Sequence, residues 1–433
     1  MGPFLSSVQV IGGPLPVVLW VLAGLALVAL AVRPLPRGRR VRWALVVVSA
    51  LVLGALVGLL VCWVVGDVLN VFDVALSPVS RGWVAAAFGG LAVAVASLVR
   101  SRPARRAGAV GAALLFVLVG AVGVNADFGQ YPTLASIVGA SSFPDLPRAL
   151  LDAERTSTAA AGAGVAGEPA KGVVGAVTIP ATVSHFAARQ ALVYLPPAAL
   201  VPNPPALPVL VMLSGQPGSP ENLFLAGHID AELDAYARQH DGLAPIIVAP
   251  DQLSAPDVNP MCVDSAIGNS ATYLTVDVPA WIRANLHVDD GPGGWGIGGF
   301  SQGGTCSIQL GAAHPDLFGA ILDISGELEP KVGSPAHTTA VGFGGDSAAY
   351  EAAKPLAILS AHTPYAATTA VFGAGSLDTK YTPWIATVEG AAAAAGMHTT
   401  LLSSPGTAHD WYTVRSIFSQ ALPVLARAWG LAS

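Results

Sequence analysis

The sequence predicts two units of different class: an all-α bundle of four transmembrane helices over residues 1–125, and an α/β domain with a mostly parallel sheet over 173–433. Only 11% of the 433 residues are charged and 53% are hydrophobic, whereas a typical soluble domain carries about 25% charged residues. The apolar residues before 125 form four long runs, and beyond 172 short apolar segments alternate with helical patterns. Residues 126–172, which include the low-complexity stretch 157–170, are interpreted as a linker.

Four apolar runs without a charged residue occupy the N-terminal unit: 15–32, 43–65, 83–99 and 108–124. Each is about long enough to cross a hydrocarbon core of roughly 30 Å as a helix. The alternative is a soluble bundle of buried helices, but such helices show a polar stripe every three or four residues, and these runs show none. Cys62 is the one ionisable group within the runs, so the bundle is interpreted as an anchor rather than a transporter.

The loops between the runs predict how the chain crosses the membrane. The first and third loops contain nine arginines: Arg33, Arg37, Arg39, Arg40, Arg42, Arg100, Arg102, Arg105 and Arg106. The positive-inside rule places these two loops in the cytoplasm. The N-terminus and all residues after 125 are then expected on the outer side of the plasma membrane.

Charge is distributed unequally along the chain. Residues 1–125 hold 10 Lys and Arg against 2 Asp and Glu, and the remaining residues hold 11 against 25. The basic residues of the first part lie in two short clusters, and the acidic part has no basic stripe. We therefore expect no nucleic-acid partner.

In the C-terminal unit short apolar strands alternate with helical segments, a pattern that is typical of a parallel sheet covered by helices on both faces. Two extended segments, 173–180 and 188–195, come first. Apolar strands are then predicted at 207–213, 244–249, 293–300, 319–324, 367–372 and 399–402. Helices are predicted near 221–240, 271–287, 302–314, 380–396 and 413–429.

A Gly-x-Ser-x-Gly motif spans 299–303, directly after a predicted strand and before a predicted helix. In that context the central serine lies on a sharp strand-to-helix turn, where it serves as a nucleophile. Ser301 is therefore the candidate nucleophile, and the alternative is an ordinary serine in a glycine-rich turn. The overlapping Gly294, Gly296 and Gly299 match a dinucleotide-binding pattern, but the turn 289–293 stands where that pattern needs a strand. We expect no cofactor.

In proteins with this strand–turn–helix motif the catalytic residues follow the chain order Ser, acid, His. The acid and the histidine that acts as general base are therefore expected after Ser301. His409 follows the last predicted strand, and the other histidines after Ser301 are interpreted as surface or loop residues. Asp378 follows the strand 367–372, where a carboxylate can fix the tautomer of the imidazole. Asp323, Glu327 and Glu329, one strand earlier, are the alternative acids, and a helix cap is the alternative role for Asp378.

An oxyanion hole needs two backbone N–H groups. Gln302, directly after the candidate nucleophile, is expected to supply one. The loop after strand 207–213 is expected to supply the other, from Gln216 or Gly215, because Pro217 has no N–H.

The chain has three cysteines. Cys62 lies in the second apolar run, and Cys262 and Cys306 lie in the domain that is expected outside the cell. Since that compartment is oxidising, a Cys262–Cys306 disulfide is predicted, with two buried free thiols as the alternative. No cysteine and histidine spacing matches a zinc site, so no metal is expected.

Residues 175–430 resemble the putative-esterase branch of the α/β-hydrolases, which includes S-formylglutathione hydrolases and mycolyltransferases. The matching stretches are 209–215, Asp264-Ser265 to 272–275, 298–304, the Asp378 loop and His409. The resemblance implies a Ser301, Asp378 and His409 triad and an oxyanion hole lined by Gln216 and Gln302. The acid of mycolyltransferases is a glutamate, and those enzymes lack four preceding helices. The Ala, Gly, Val, Pro and Arg bias resembles that of actinobacterial proteins.

These observations predict a membrane-anchored serine esterase that faces outward and hydrolyses acyl esters through an acyl-enzyme. A second hypothesis is an acyltransferase that moves the acyl group to a sugar or lipid hydroxyl of the cell envelope. A third is a non-catalytic scaffold of the envelope with a hydrolase fold. The expected partners are an acyl-ester substrate, a cell-envelope lipid or glycolipid, and the membrane.

Overall fold

The structure, a computed structural model, describes residues 2–71, 73–139, 143–151 and 169–431. The chain divides into two compact units, Met1–Ser142 and Phe143–Ser433. Of the predicted linker, residues 140–142 and 152–168 lie outside the described residues, and these include most of the low-complexity stretch 157–170. The boundaries at 125 and 172 stay a prediction.

The N-terminal unit is helical. Its described helices are α1 (Gly2–Ser7), α2 (Pro14–Ala31), α3 (Arg37–Cys62), α4 (Pro78–Leu98), α5 (Pro103–Phe128) and α6 (Leu134–Ile137). A π-helical turn, Trp63–Val68, continues α3. Among the described residues, α2, α3 with its continuation, α4 and α5 are long and apolar enough to cross a membrane. This confirms the predicted four apolar helices.

Glycines allow α3 and α4 to pack closely. A Cβ atom on Gly54 would lie 2.5 Å from the carbonyl oxygen of Phe88 and 2.8 Å from the Cα of Gly89. One turn later, a Cβ on Gly58 would lie 3.0 Å from the Cα of Ala85. Apolar helices in lipid associate through such small residues, because lipid tails are as apolar as the side chains and close backbone contact supplies the attraction.

The C-terminal unit is built on strands. They are β1 (Val173–Val177), β2 (Ala191–Leu195), β3 (Val209–Leu213), β4 (Ile246–Ala249), β5 (Asp264–Ser265), β6 (Gly268–Asn269), β7 (Trp295–Phe300), β8 (Ala320–Ile324), β9 (Thr369–Gly375) and β10 (His398–Ser404). Eight described strands form one sheet in the order β1-β2-β4-β3-β7-β8-β9-β10, and β5 pairs with β6. β2 is antiparallel to β1 and β4, and the remaining pairs of the sheet are parallel. The predicted α/β class is confirmed.

Helices flank this sheet. They are α7 (Glu221–Leu225), α8 (Ile229–Ala237), α9 (Ser270–Thr272), α10 (Val278–Asn285), α11 (Gln302–Ala313), α12 (Pro335–Phe343), α13 (Ser347–Ala352), α14 (Pro355–Ala361), α15 (Tyr381–Ala394) and α16 (Trp411–Ala428). The single helix expected near 221–240 is two, because His228 adopts a φ of 49° at their junction. Helices α12–α14 were not predicted, and the prolines and glycines of that segment divide it into short pieces.

The core arrangement determines where functional side chains can lie. Strands β3 and β7 in the middle of the sheet are buried at every position, and α11, which follows β7, is buried from Gln302 to Ala312. The carboxyl ends of the parallel strands share one edge of the sheet. Loops at that edge are the usual location of binding sites in α/β proteins.

One carboxyl group is buried beneath α11. Asp323, on β8, has no exposed surface, and its Oδ1 accepts a hydrogen bond of 2.9 Å from the Gly326 amide. Among the described residues, its Oδ2 has no hydrogen-bond partner. Burial, with a smaller contribution from Glu327, raises the pKa of Asp323 to about 7.

We expect Gly54→Ala to destabilise the N-terminal unit by about 1–3 kcal/mol, the range for overpacking a close contact. The added methyl group would force α3 away from α4. Thermal unfolding in detergent micelles, followed by circular dichroism, measures the effect. Gly111→Ala on α5 is the matched control, because a Cβ there has no atom within 4 Å. Equal melting temperatures for the two variants would contradict the packing argument.

We expect Asp323→Asn to stabilise the protein increasingly as the pH rises from about 5 to 8. The folded state keeps the Asp323 proton up to a pH of about 7, whereas the unfolded chain releases it near 4. Stability of the wild type therefore falls across this window, and the amide variant lacks that loss. Melting temperatures at pH 5 and pH 8 test this, with the exposed Asp316→Asn as control. A variant and wild type with parallel pH profiles would refute it.

Candidate active site

Four loops meet at the carboxyl edge of the sheet, and each contains a residue singled out by the sequence. Ser301 follows β7 directly, and Asp378 lies three residues beyond the end of β9. His409 lies five residues beyond β10, and Gln216 lies three residues beyond β3. Because β3, β7, β9 and β10 are parallel strands of one sheet, residues far apart in sequence are gathered at one edge.

Ser301 occupies a strained backbone conformation between β7 and α11. Its φ is 57° and its ψ is −117°, a region that residues with a Cβ rarely adopt. Its amide donates a 2.8 Å hydrogen bond to the carbonyl of Ile324 on β8, and its carbonyl accepts from the Thr305 amide at 2.9 Å. The strand on one side and the helix on the other therefore hold the residue in the turn that the motif predicts.

The glycines on either side of the serine are required by crowding. A Cβ on Gly299 would overlap the Gly303 carbonyl, and a Cβ on Gly303 would lie 2.5 Å from the carbonyl oxygen of Ser214. The last contact brings the loop after β3 against the first turn of α11. The turn that contains Ser301 therefore requires glycine at both 299 and 303, because a Cβ at either position would overlap backbone atoms.

Asp378 and His409 are hydrogen-bonded to each other. His409 Nδ1 lies 3.1 Å from Asp378 Oδ2, and both side chains are buried. The other oxygen, Oδ1, accepts from the amide of Tyr381 at 3.0 Å. A carboxylate held in this way orients the imidazole and favours the tautomer in which Nδ1 bears the hydrogen.

The His409 ring contacts two aromatic rings, one of which belongs to the residue before Ser301. Its centroid is 4.8 Å from that of Phe300 and 4.0 Å from that of Tyr381. This packing places the imidazole beside the turn that contains Ser301. His409 is hydrogen-bonded to Asp378 and lies beside the Ser301 turn. Within the described structure the Ser301 hydroxyl makes no hydrogen bond, so His409 and Ser301 are close but not hydrogen-bonded to each other.

The two segments expected to supply an oxyanion hole lie together. The backbone amide of Gln302 is the first of α11, and helix N-termini present amides without intrahelical partners. Ser214, in contact with Gly303, precedes Gly215 and Gln216 in the loop after β3. Gln216 is half-buried, and its side chain donates to the Asp257 carbonyl at 3.2 Å.

A buried polar network, which the sequence did not reveal, joins these two segments. Gln252 Nε2 donates to the carbonyl of Ser214 at 2.6 Å and to Gln302 Oε1 at 3.0 Å. Gln302 Nε2 in turn donates to Asn259 Oδ1 at 3.0 Å. The one available signal was the position of Gln252, three residues after β4, whose carboxyl end lies at the same edge.

The predicted disulfide borders this network. Cys262 and Cys306 are bonded, with Cα atoms 5.5 Å apart, and Gln302 Nε2 lies 3.2 Å from Cys306 Sγ. The bond links the loop before β5 to the first turns of α11. Cys62 is a free, buried cysteine of the N-terminal unit.

Asp410, the acid next to His409, and the alternative acids Asp323 and Glu327 lie in other environments. Asp410 accepts hydrogen bonds from the amides of Ala408 and Thr413 and caps α16. Asp323 lies beneath α11, and Glu327 forms an ion pair with Lys331 at 3.2 Å. In the described part of the chain, no group of three or more His, Cys, Asp or Glu residues could hold a metal ion.

Comparison with curated proteins finds two groups of relatives. The chain is 36% identical over 256 residues to an uncharacterized protein of Corynebacterium glutamicum, a match that covers 58% of this chain and 60% of that protein. It is 41% identical over 59 residues to the MPT51/MPB51 antigen of Mycobacterium tuberculosis, covering 14% of this chain and 19% of the antigen. The chain thus matches less than two thirds of the length of either relative.

Comparison with solved structures and with family models agrees with the fold. An S-formylglutathione hydrolase from Agrobacterium tumefaciens superposes with a TM-score of 0.50 at 17% identity, covering 62% of this chain and all of that one. The family model described as "Putative esterase" matches residues 187–418, which include the Ser301 turn, Asp378 and His409. That match extends over more than half of the chain, and the protein therefore belongs to this esterase family.

Proposed function

We propose that this protein is a membrane-anchored serine esterase in which Ser301, His409 and Asp378 cleave acyl esters on the outer side of the membrane. The observation that carries the proposal is the buried Asp378–His409 pair, packed through Phe300 against the strained turn of Ser301. Family membership supports acyl-ester chemistry at this place, since the matched residues 187–418 contain all three side chains.

In the first half-reaction, the Ser301 hydroxyl attacks the carbonyl carbon of the ester while His409 Nε2 removes its proton. Asp378 stabilises the imidazolium that forms, through the hydrogen bond at Nδ1. The negative oxygen is stabilised by the backbone amide of Gln302 and by a second amide in the loop of Gln216. The tetrahedral intermediate then collapses, the alcohol leaves with the proton from His409, and the acyl group remains on Ser301.

In the second half-reaction, His409 removes a proton from the attacking molecule, and the new tetrahedral intermediate releases Ser301. Water as the attacking molecule yields a free acid, whereas a sugar or lipid hydroxyl yields a new ester. The same three residues serve both outcomes. Hydrolysis is the function we propose, and acyl transfer is the alternative that the experiment below distinguishes.

The four apolar helices support membrane anchoring, and the arginines support the orientation. Arg33 and Arg105 both lie at the ends of helices, with their guanidinium carbons 4.8 and 5.7 Å from the centroid of the Trp43 ring. The segments 33–42 and 99–107, which join α2 to α3 and α4 to α5 and include the first turns of α3 and α5, hold nine arginines and no acidic residue. This charge pattern favours the cytoplasmic side for both segments, and the C-terminal unit is then outside.

We expect Ser301→Ala to lower ester hydrolysis at least about 10⁴-fold and to abolish labelling by a fluorophosphonate probe, because the attacking oxygen is absent. Asp378→Asn should lower the rate about 10⁴-fold while labelling becomes slow, since the imidazole loses its orienting carboxylate. Hydrolysis of a chromogenic ester by the full chain, with the labelled peptide mapped by mass spectrometry, measures both. Ser360→Ala, at an exposed position, is the control, and undiminished turnover by Ser301→Ala would refute the assignment.

Addition of a glycan acceptor to the same assay distinguishes hydrolysis from transfer. We expect free acid as the main product for an esterase. Predominantly acylated glycan, formed at the expense of free acid and lost in Ser301→Ala, would identify the protein as a transferase with the same acyl-enzyme.

We expect a single cysteine at position 360 to be labelled by a membrane-impermeant maleimide on intact cells, and one at position 38 only after the cells are opened. Ser360→Cys and Gly38→Cys, each combined with Cys62→Ser, place the thiol at exposed positions of the C-terminal unit and of the first turn of α3, within the first arginine cluster. Cys262 and Cys306 are bonded to each other and do not react. The reverse labelling pattern would overturn the proposed orientation.

A further inference from the structure

The loop after β4, residues 250–259, holds the loop after β3, residues 214–218, at three points. The three hydrogen bonds run from Gln252 Nε2 to the Ser214 carbonyl at 2.6 Å, from the Gln216 side chain to the Asp257 carbonyl at 3.2 Å, and from the Gly218 amide to the Pro256 carbonyl at 3.1 Å. They involve the first, middle and last residues of the loop after β3. The path of that loop is therefore determined by the loop after β4.

Gln252 differs from the other two contacts because its fully buried side chain reaches both segments of the oxyanion hole that we propose. Its Nε2 donates to the Ser214 carbonyl at 2.6 Å and to Gln302 Oε1 at 3.0 Å. In our proposal the backbone of Gln302 supplies one oxyanion amide. The other comes from Gly215 or Gln216, which follow Ser214 directly. One amide group thus connects the two segments.

Hydrogen bonds to the backbone determine which end of each side-chain amide donates. The Met261 amide donates to Asn259 Oδ1 at 2.8 Å, and Asn259 Nδ2 donates to the Lys331 carbonyl at 3.0 Å. Asn259 Oδ1 can therefore accept only from Gln302 Nε2, which lies 3.0 Å away. The oxygen of Gln302 is then directed at Gln252, whose NH2 group must face it. The three side-chain amides have one consistent orientation, and it directs a donor at the loop after β3.

The carbonyl that receives this donor belongs to the same planar peptide group as the N–H of Gly215. A hydrogen bond that fixes the Ser214 carbonyl therefore also fixes the direction of this N–H and the point from which the next peptide group continues. Glycine at position 215 restricts the backbone little by itself, so the loop depends on hydrogen bonds from outside. An oxyanion donor is effective only within about 2.7–3.1 Å of the developing negative oxygen.

We propose that Gln252 is a positioning residue whose side chain sets the geometry of the oxyanion hole, by fixing the loop after β3 relative to the first turn of α11. The inference rests on the esterase function proposed above and deepens it. Because Gln252 is fully buried, it acts through Ser214 and Gln302 and does not touch the substrate. Its Oε1 has no hydrogen-bond partner among the described residues, so its contribution lies in the two hydrogen bonds donated by Nε2.

Gln252→Met preserves the length of the side chain and removes both of these hydrogen bonds. We expect kcat and kcat/KM of the full-length protein for a chromogenic ester to fall by the same factor, about 10- to 100-fold, because a misplaced oxyanion donor affects the transition state alone. The pH midpoint of kcat/KM should remain that of the wild type, since the Asp378–His409 pair is unchanged.

Gln309→Met is the matched control for the loss of a buried amide. Gln309 lies two turns further along α11, is 3% exposed, and donates through Nε2 to the Ala353 carbonyl at 2.9 Å. Its Oε1 also lacks a hydrogen-bond partner in the described part of the chain. A cost in stability alone would lower the activity of both variants. Assayed well below both melting temperatures, only Gln252→Met should lose kcat, and equal kcat values for the two variants would overturn the inference.

A trifluoromethyl ketone provides a second measurement that reports on the oxyanion hole directly. The Ser301 oxygen bonds to the ketone carbon, the serine proton passes to His409, and the former carbonyl oxygen becomes an oxyanion. We expect Gln252→Met to weaken this inhibition by about the factor lost in kcat/KM, while competitive inhibition by the product alcohol, which forms no oxyanion, changes less than about twofold.

Gln252→Asn provides the same test if Gln252→Met does not fold. It keeps both amide hydrogens on a side chain that is one methylene shorter and cannot reach both acceptors, so we expect a loss in kcat of about three- to tenfold. Unchanged inhibition by the trifluoromethyl ketone in these variants would contradict the positioning role and leave the esterase intact. Absence of both ester turnover and fluorophosphonate labelling in the wild type would instead overturn the proposed function.

Discussion

The close approach of backbone segments around Ser301 is the constraint on which the site depends. A Cβ on Gly299 would overlap the Gly303 carbonyl, and a Cβ on Gly303 would overlap the Ser214 carbonyl oxygen. The sharp turn from β7 into α11 is therefore possible only with glycine at both positions. The positive φ of Ser301 is an unfavourable conformation that the neighbouring strand and helix impose through their own hydrogen bonds. The same crowding brings the loop after β3 against the first turn of α11, and these are the two segments that we propose supply the oxyanion hole.

A second crowded contact assembles the remainder of the site. A Cβ on Gly375, at the end of β9, would lie 2.5 Å from the carbonyl oxygen of Thr407 and would also meet that of Ala408. The backbone of the Asp378 loop therefore runs directly against the His409 loop, and the amide of Leu377 donates to Thr407 at 2.9 Å. The distance between carboxylate and imidazole is thus determined by backbone contacts, and rotation of the two side chains alone does not decide it.

Polar side chains buried around these contacts hold the segments in register. Gln252 joins the loop after β3 to Gln302, and Asn259 extends the chain of hydrogen bonds to Lys331. Arg189 pairs with the fully buried Asp251, at 2.7 Å, and donates to the carbonyl of Gly218 at 2.9 Å. Removing any one of these groups would leave a buried partner unsatisfied, and that cost ties the geometry of the site to the folding of the domain.

The sequence by itself determined the four apolar helices, the α/β alternation, the Ser301 turn, and the choice of Asp378, His409 and the two paired cysteines. These are local signals, because hydrophobic run length, strand-and-helix periodicity and glycine spacing each depend on residues that are close together in the sequence. Only the tertiary structure decided the division of 221–240 into two helices, the three helices between β8 and β9, and the Gln252 network. These features depend on contacts between residues such as Gln252 and Gln302, which are 50 positions apart in the chain, and no pattern along a single sequence shows which distant side chains meet.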